Sequence, residues 1–150
     1  MDRLSKGAIV IQNPTLPLLL FAEDDDEDWM LIEDTFRECA SPTRIERVKD
    51  GVELLERLRD ELAEKPDLIL LDLKMPRKNG HEALAEIRKD ENLRHIPVVI
   101  MTTSRSEADI YQSYFEGCNS YIAKPIEEAK LKVVRKYWAS IVELPKYSIK

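Results

Sequence analysis

Asp72 closes a run of four apolar residues, Leu68-Ile69-Leu70-Leu71, and is followed by Pro76 and then Asn79-Gly80. The run is too short for a helix and is bounded by proline and charge, so it reads as a strand buried on both faces. Pro76 and Asn79-Gly80 mark the turn after it. A carboxylate at the C-terminal end of such a strand stands where open α/β sheets place their chemistry; taken alone, Asp72 could equally open an ordinary loop. A second buried run, Leu18 to Ala22, ends on Glu23-Asp24 at the head of six consecutive acids. A helix N-terminus accounts for Asp26, Glu27 and Asp28, because the dipole favours negative charge there. It leaves the crowding of Glu23 and Asp24 at the strand end unexplained. Two more short strands, Val98 to Met101 and Ser120 to Ala123, end on Thr102-Thr103-Ser104 and on Lys124-Pro125. Three carboxylates brought to one rim repel one another and call for a hard cation in a partly hydrated oxygen site, which suits Mg²⁺. A hydroxyl and an ammonium beside them suit a dianionic phosphoryl group. The nucleophile can itself be a carboxylate, forming an aspartyl phosphate, and Asp72 is central among the three.

The elements that would carry these residues alternate regularly. After the acids, Trp29, Ile32, Phe36 and Ala40 repeat with a helical period, and Ser41-Pro42 ends that helix. Arg44 to Val48 alternates like a short strand, and Asp50-Gly51 turns into a helix with a stripe of Val52, Leu55, Leu58 and Leu62. The next helix turns Ala83, Leu84 and Ile87 inward. A helix over 106–115 is closed by Gly117, and one from about Glu127 places Leu131, Val134, Trp138 and Ile141 on one face. Alternation of apolar strands with helices implies an α/β fold, a parallel sheet covered on both faces. The doubly wound order 2-1-3-4-5 is expected, which makes strands one and three neighbours at the switch point. The alternating unit spans 18–139, with an N-terminal arm over 1–17 and a C-terminal arm over 140–150. Ala8 to Ile11 could form a short strand, but Asn13-Pro14 and Pro17 break that segment.

Composition narrows the function. The 150 residues suit one domain, and 43% hydrophobic with 35% charged residues suits a globular chain. A net charge of −6 argues against a nucleic-acid partner, which needs a basic face. The longest apolar run, Leu16 to Ala22, contains a proline and is too short for a bilayer, so no membrane partner is expected. Cys39 and Cys118 have no metal-like spacing, and without a secretion signal a reducing cytoplasm is the simpler location. His81 and His95 read as surface residues, so the chemistry must rest on carboxylates, hydroxyls and lysine.

Taken together, Phe21-Ala22-Glu23-Asp24-Asp25, Leu71-Asp72-Leu73-Lys74-Met75-Pro76 with Gly80, Val99 to Ser104 and Tyr121-Ile122-Ala123-Lys124-Pro125 resemble the receiver domains of two-component response regulators. The resemblance covers about 18–139 and implies the flavodoxin-like (βα)5 fold. It also implies a phosphoacceptor role for Asp72, loaded from the phosphohistidine of a sensor histidine kinase with Mg²⁺. It makes Asp24 the direct metal ligand, Glu23 a ligand through water, and the Lys74 backbone carbonyl a further ligand. Thr102 matches the switch hydroxyl, Lys124 the phosphoryl-binding lysine and Tyr121 the switch aromatic. Thr103 stands where a small residue keeps the phosphoryl approach open. Lys74 and Ser104 occupy the positions that tune dephosphorylation, and a long Lys74 side chain is expected to hinder the attacking water.

Such a protein is a phosphoacceptor in signalling rather than an enzyme with a separate substrate. With ten residues after Ser140, its output is expected to be a protein-interaction surface. The Tyr137-Trp138 helix end and the Leu144-Pro145 arm resemble single-domain regulators paired with bacterial and cyanobacterial phytochrome histidine kinases. That narrower resemblance implies a homodimer through the last helix and its extension, with Val133, Tyr137, Ile141 and Leu144 as contact candidates. Two rivals carry different signatures. A haloacid-dehalogenase-type hydrolase needs an acid where Lys74 stands, and a phosphorylation-independent adaptor of receiver fold typically lacks Asp72, Thr102 or Lys124, all of which are present.

Overall fold

A computed structural model describes residues 9–11, 16–38, 43–124, 127–138, 143–145 and 147–149. Its elements run β1 (Ile9–Ile11), β2 (Leu18–Ala22), α1 (Asp26–Arg37), β3 (Arg44–Val48), α2 (Gly51–Arg59), β4 (Leu68–Leu71), α3 (Gly80–Lys89), β5 (Val98–Thr102), α4 (Glu107–Phe115), β6 (Ser120–Ala123), α5 (Glu128–Lys136) and β7 (Tyr147–Ile149). Five strands form one sheet in the order β3-β2-β4-β5-β6, every neighbouring pair parallel. Counted alone, those five strands have the expected order 2-1-3-4-5.

The apolar runs are buried on both faces because each strand alternates between two cores. Leu20, Ala22, Ile69, Leu71, Val98 and Ile100 face Leu54 and Leu58 of α2 and Leu84 and Ile87 of α3. Leu19, Phe21, Leu68, Leu70, Val99 and Met101 face Ile32 and Phe36 of α1 and Leu131 and Val134 of α5. A period of two thus sends one strand's side chains into both layers. Trp138 packs against the second core, as its place on the α5 stripe implied.

The starts of α1 to α4 are fixed by side-chain caps, while α5 begins without one. Asp25 accepts from the Asp28 amide at 2.9 Å, Asp50 from Glu53 at 2.9 Å and Ser106 from Asp109 at 3.0 Å. Asn79 and Glu82 form a reciprocal capping box that starts α3. Gly117, with a φ of 103°, follows the end of α4 in the left-handed region.

Three expectations need correction. Helix α2 ends at Arg59, where Asp60 turns extended, so Leu62 leaves the stripe and is 98% exposed. Leu54, absent from the expected stripe, is fully buried instead. Leu144, expected as a dimer contact, is buried within the second core of its own chain. His81 is half-buried between α3 and α4 rather than at the surface. Ile9–Ile11 is indeed a strand, and it pairs antiparallel with Tyr147–Ile149, so the two arms meet. Cys39, Ala40, Ser41, Pro42, Pro125 and Ile141 lie outside the described residues. Among the described residues, no helix is long and apolar enough to cross a membrane.

The α2 correction is testable by urea denaturation. Leu54→Ala is expected to cost about 2–5 kcal/mol, as core truncations do, whereas Leu62→Ala stays within about 0.5 kcal/mol of the parent.

Candidate functional site

Parallel strands deliver their C-terminal ends to one edge, and the chemistry gathers there. The backbone sets the positions: the Asp72 amide donates to Ala22 O at 3.1 Å, Glu23 N to Val48 O at 3.0 Å and Lys124 N to Thr102 O at 2.7 Å. Lys124 then reaches inward from β6. Its Nζ donates to Glu23 Oε1 at 2.6 Å, to Asp28 Oδ2 at 2.8 Å and to Asp72 Oδ2 at 3.1 Å. Lys124, Glu23 and Asp72 side chains are buried, 5%, 4% and 8% exposed. Burial on its own would pull the Lys124 ammonium down, but its hydrogen bonds to Asp28 and Glu23 and the charges of Asp72 and Glu23 outweigh it and push it up. Burial also raises Glu23, against the opposing effect of Lys124. The lysine therefore stays a fixed cation among carboxylates.

Ligand atoms of Glu23, Asp24 and Asp72 lie within 4.8 Å of one another. Four carboxylates, those three and Asp28, crowd one ammonium, so negative charge is left over. Hard oxygen donors with an excess of negative charge fit a divalent cation such as Mg²⁺ or Mn²⁺.

Asp72 is held from below by the loop that follows it. Its Oδ1 accepts from the Lys74 amide at 3.1 Å, while the Gly80 amide donates to Leu73 O at 2.9 Å. A Cβ on Gly80 would collide with Asp72 O and Leu73 Cα, so only glycine lets α3 start this close to the acid. Gly51 is approached as closely by the Lys78 backbone and donates its amide to Lys78 O at 3.1 Å. Between these contacts Arg77 takes a left-handed φ of 63° and donates to Asp50 at 2.8 and 3.2 Å.

On the other side, Thr102 is fully buried, while Thr103 and the Lys74 side chain are exposed. Tyr121 packs against the first core and donates its hydroxyl to Ser104 O at 2.9 Å. Ser104 Oγ donates to Asp109 Oδ2 of α4 at 2.5 Å. His81 lies 2.7 Å from Glu116 and 3.3 Å from Asp109. The Ser104 hydrogen bond, joined by His81, holds the Asp109 carboxyl below its usual range despite some burial.

Glu23, Asp24, Asp72, Thr102, Thr103, Ser104 and Lys124 stand at or just past the C-terminal ends of β2, β4, β5 and β6, whereas Tyr121 lies within β6, opposite Ile100. Among the contact candidates Val133 and Tyr137 are exposed, Leu144 is buried and Ile141 lies outside the described residues. Sequence reasoning missed Asp28, which it assigned to the helix start alone. The available signal was its spacing: Asp28, Ile32 and Phe36 recur every four residues and share the inner face of α1. It also missed the Ser104–Asp109–His81 linkage, which spans three elements.

A doubly wound sheet whose C-terminal edge gathers three acids, a buried threonine and a buried lysine is the architecture of a phosphorelay receiver. The response regulator receiver domain model matches residues 19–135, and the chain belongs to that family. It is 38% identical over 130 residues to the probable methanogenesis regulatory protein FilR2 of Methanothrix harundinacea, covering 81% of this chain and 83% of that protein. It is 32% identical over 136 residues to response regulator Rcp1 of Synechocystis, covering 85% and 92%. Among solved structures it resembles the phosphorylated cyanobacterial phytochrome response regulator RcpA, with a TM-score of 0.82, 37% identity and coverage of 87% and 99%. Rcp1 has been solved in a Mn²⁺-bound form, at a TM-score of 0.82, 31% identity and coverage of 86% and 99%. The protein is a two-component receiver, a signalling domain rather than an enzyme with a separate substrate, and a histidine kinase is the partner class that receivers imply.

The grip on the loop after Asp72 has a pH signature. Burial acts to raise the Asp50 carboxyl, but the Arg77 guanidinium and the amides of Glu53 and Val52 overcome it and lower it below the usual carboxylate value. Its contribution is therefore present above the ordinary carboxylate pKa and is lost as pH falls through the lowered one. Asp50→Asn keeps a cap and loses the ion pair. Urea midpoints measured from neutral to acid pH should be lower at neutrality and fall less steeply than the parent's.

Proposed function

We propose that Asp72 is the phosphoacceptor. A carboxylate oxygen forms the new bond to phosphorus, the bond to the donor's histidine nitrogen breaks, and that imidazole leaves with the electron pair. The single observation that carries this is the setting of Asp72: it lies in a cluster with Glu23 and Asp24 and against the buried Lys124 ammonium. Glu23, Asp24, Asp72 and the Lys74 backbone carbonyl would hold Mg²⁺, which when bound screens the negative charge of the incoming phosphoryl group. Lys124 donates to the phosphoryl oxygens, and Thr102, at the end of the neighbouring strand β5 on the same edge, turns its hydroxyl toward them. Thr103 leaves the approach open. The exposed Lys74 side chain and Ser104 regulate access of the water that removes the group.

Phosphorylation adds roughly −1.5 to −2 charge at an edge already rich in carboxylates. Closure of the Thr102–Ser104 segment onto that charge alters Tyr121, bonded to Ser104, and α4, bonded through Asp109. The output is thus a change in a protein-interaction surface. Similarity to RcpA, a cyanobacterial phytochrome response regulator, supports a kinase of the phytochrome type as donor. We place this exchange in the cytoplasm, where phosphohistidine donors are charged from ATP. Residues 18–139 form the receiver, in keeping with the family match over 19–135. The arms, 1–17 and 140–150, flank it.

The reading is tested with acetyl phosphate and Mg²⁺, followed by intact mass. The parent gains one phosphoryl group and Asp72→Asn gains none; a parent that stays unmodified with this donor and with a cognate kinase overturns the assignment. In the same assay Lys74→Ala is expected to lose the group several-fold faster.

We further propose a homodimer through α5, on the exposure of Val133 and Tyr137 along one face. Tyr137 meets Trp138 edge to face at 5.3 Å, and Trp138 is anchored in the core, so the exposed ring is held in place. Light scattering should report a dimer for the parent and a monomer for Val133→Glu combined with Tyr137→Glu. A parent monomeric with and without phosphorylation removes this interface.

A further inference from the structure

Lys124 has three ammonium protons, and the structure gives each a carboxylate: Glu23, Asp28 and Asp72. A phosphoryl oxygen on Asp72 can receive a hydrogen bond from this lysine only if one of those partners lets go. The three are unequal. Glu23 is 4% exposed, and releasing it would leave a buried carboxylate short of its strongest donor. Asp72 is the group being modified. Asp28 is 43% exposed, and water can solvate it the moment Lys124 turns away.

Resting on the phosphoacceptor reading above, we propose that Asp28 is a positioning residue that parks Lys124 in the unphosphorylated state and is the partner exchanged for the phosphoryl group. It acts as an internal competitor for the lysine, and so sets how strongly the edge favours the phosphorylated arrangement. Its place supports a dedicated role. Asp28 sits three residues after the N-cap Asp25, where a long acid would fold back on the cap. Instead its carboxylate crosses from α1 to β6. Asp28 also lies outside the group of acids that converge for a metal ion, so removing it spares that group.

The test uses the full chain with Mg²⁺ and beryllofluoride, an anionic phosphoryl mimic, titrated by calorimetry. Asp28→Ala should bind the mimic about three- to fivefold more tightly than the parent, the range a partly exposed charge pair commands. Asp28→Asn, which can still accept a weaker hydrogen bond, should fall between them. Glu27→Gln removes the same charge from the same helical turn without touching Lys124 and should match the parent. A Mg²⁺ titration without the mimic and urea midpoints should be nearly unchanged for all variants. Unchanged or weaker binding by Asp28→Ala overturns the proposal, and so does equal tightening by Glu27→Gln, which would make the effect one of net charge. A parent that fails to bind beryllofluoride overturns the phosphoacceptor reading itself, an outcome distinct from either.

Discussion

The structure depends on one buried ammonium placed among more carboxylates than it can neutralise. Taking Lys124, Glu23 and Asp72 out of water is costly, and one pair alone would not compensate for it. The geometry offsets the cost by giving every Lys124 proton an anionic acceptor, and it still leaves negative charge over. That imbalance makes the edge a place to recruit a cation and rearrange. A fully neutralised edge would be a structural ion pair with no reason to move. The parallel sheet is what makes the crowding possible, because it brings β2, β4 and β6 to the same edge from separate parts of the chain.

From that edge a continuous chain of contacts reaches the surface. Thr102 ends β5 and Ser104 follows it, the Tyr121 hydroxyl rests on Ser104 O, and Ser104 Oγ is bonded to Asp109 at the start of α4. Asp109 shares His81 with Glu116 at the far end of the same helix, so one side chain of α3 grips α4 at both ends. Unlike α2 and α3, α4 buries only Ser113 among its own residues, and Tyr111 and Phe115 stack on its outer side. Polar links hold this helix more than a deep apolar face does. Such links can be exchanged at modest cost, whereas core packing resists small displacements. The hydrogen bond from Ser104 to Asp109 ties the segment after β5 directly to α4.

Much of this was legible in the chain because the signals are local. Each buried strand is a short apolar run, and each ends on a residue whose chemistry differs from a loop's usual polarity. The order of the strands follows from general rules of handedness and connection. Illegible parts depended on where a helix stops or on what crosses between elements. Leu62 continues the period of α2 faultlessly, and only the turn at Asp60 removes it from the core. Leu144 looked like part of an exposed arm, because nothing local shows that the chain folds back over the second core. His81 follows a turn, as surface histidines often do, and its two acids lie 28 and 35 residues away.

The run from Glu23 to Asp28 shows most clearly how little composition says about role. Six like charges in sequence read as a solvated face, yet the start of a helix sends them in different directions. Glu23 still belongs to the strand end and is buried with Lys124. Asp24 is exposed on the metal-binding side, and Asp25 caps α1. Asp26, one step around the helix, pairs with Arg47 at 2.8 Å, whose guanidinium lies over Trp29 and whose Nε donates to Glu23 O at 2.7 Å. Asp28, two steps further, comes round to the inner face and meets Lys124. A rotation of about 100° per residue therefore gives neighbouring acids different partners. The same turn that makes the run soluble also brings a third carboxylate, beside Glu23 and Asp72, to the lysine.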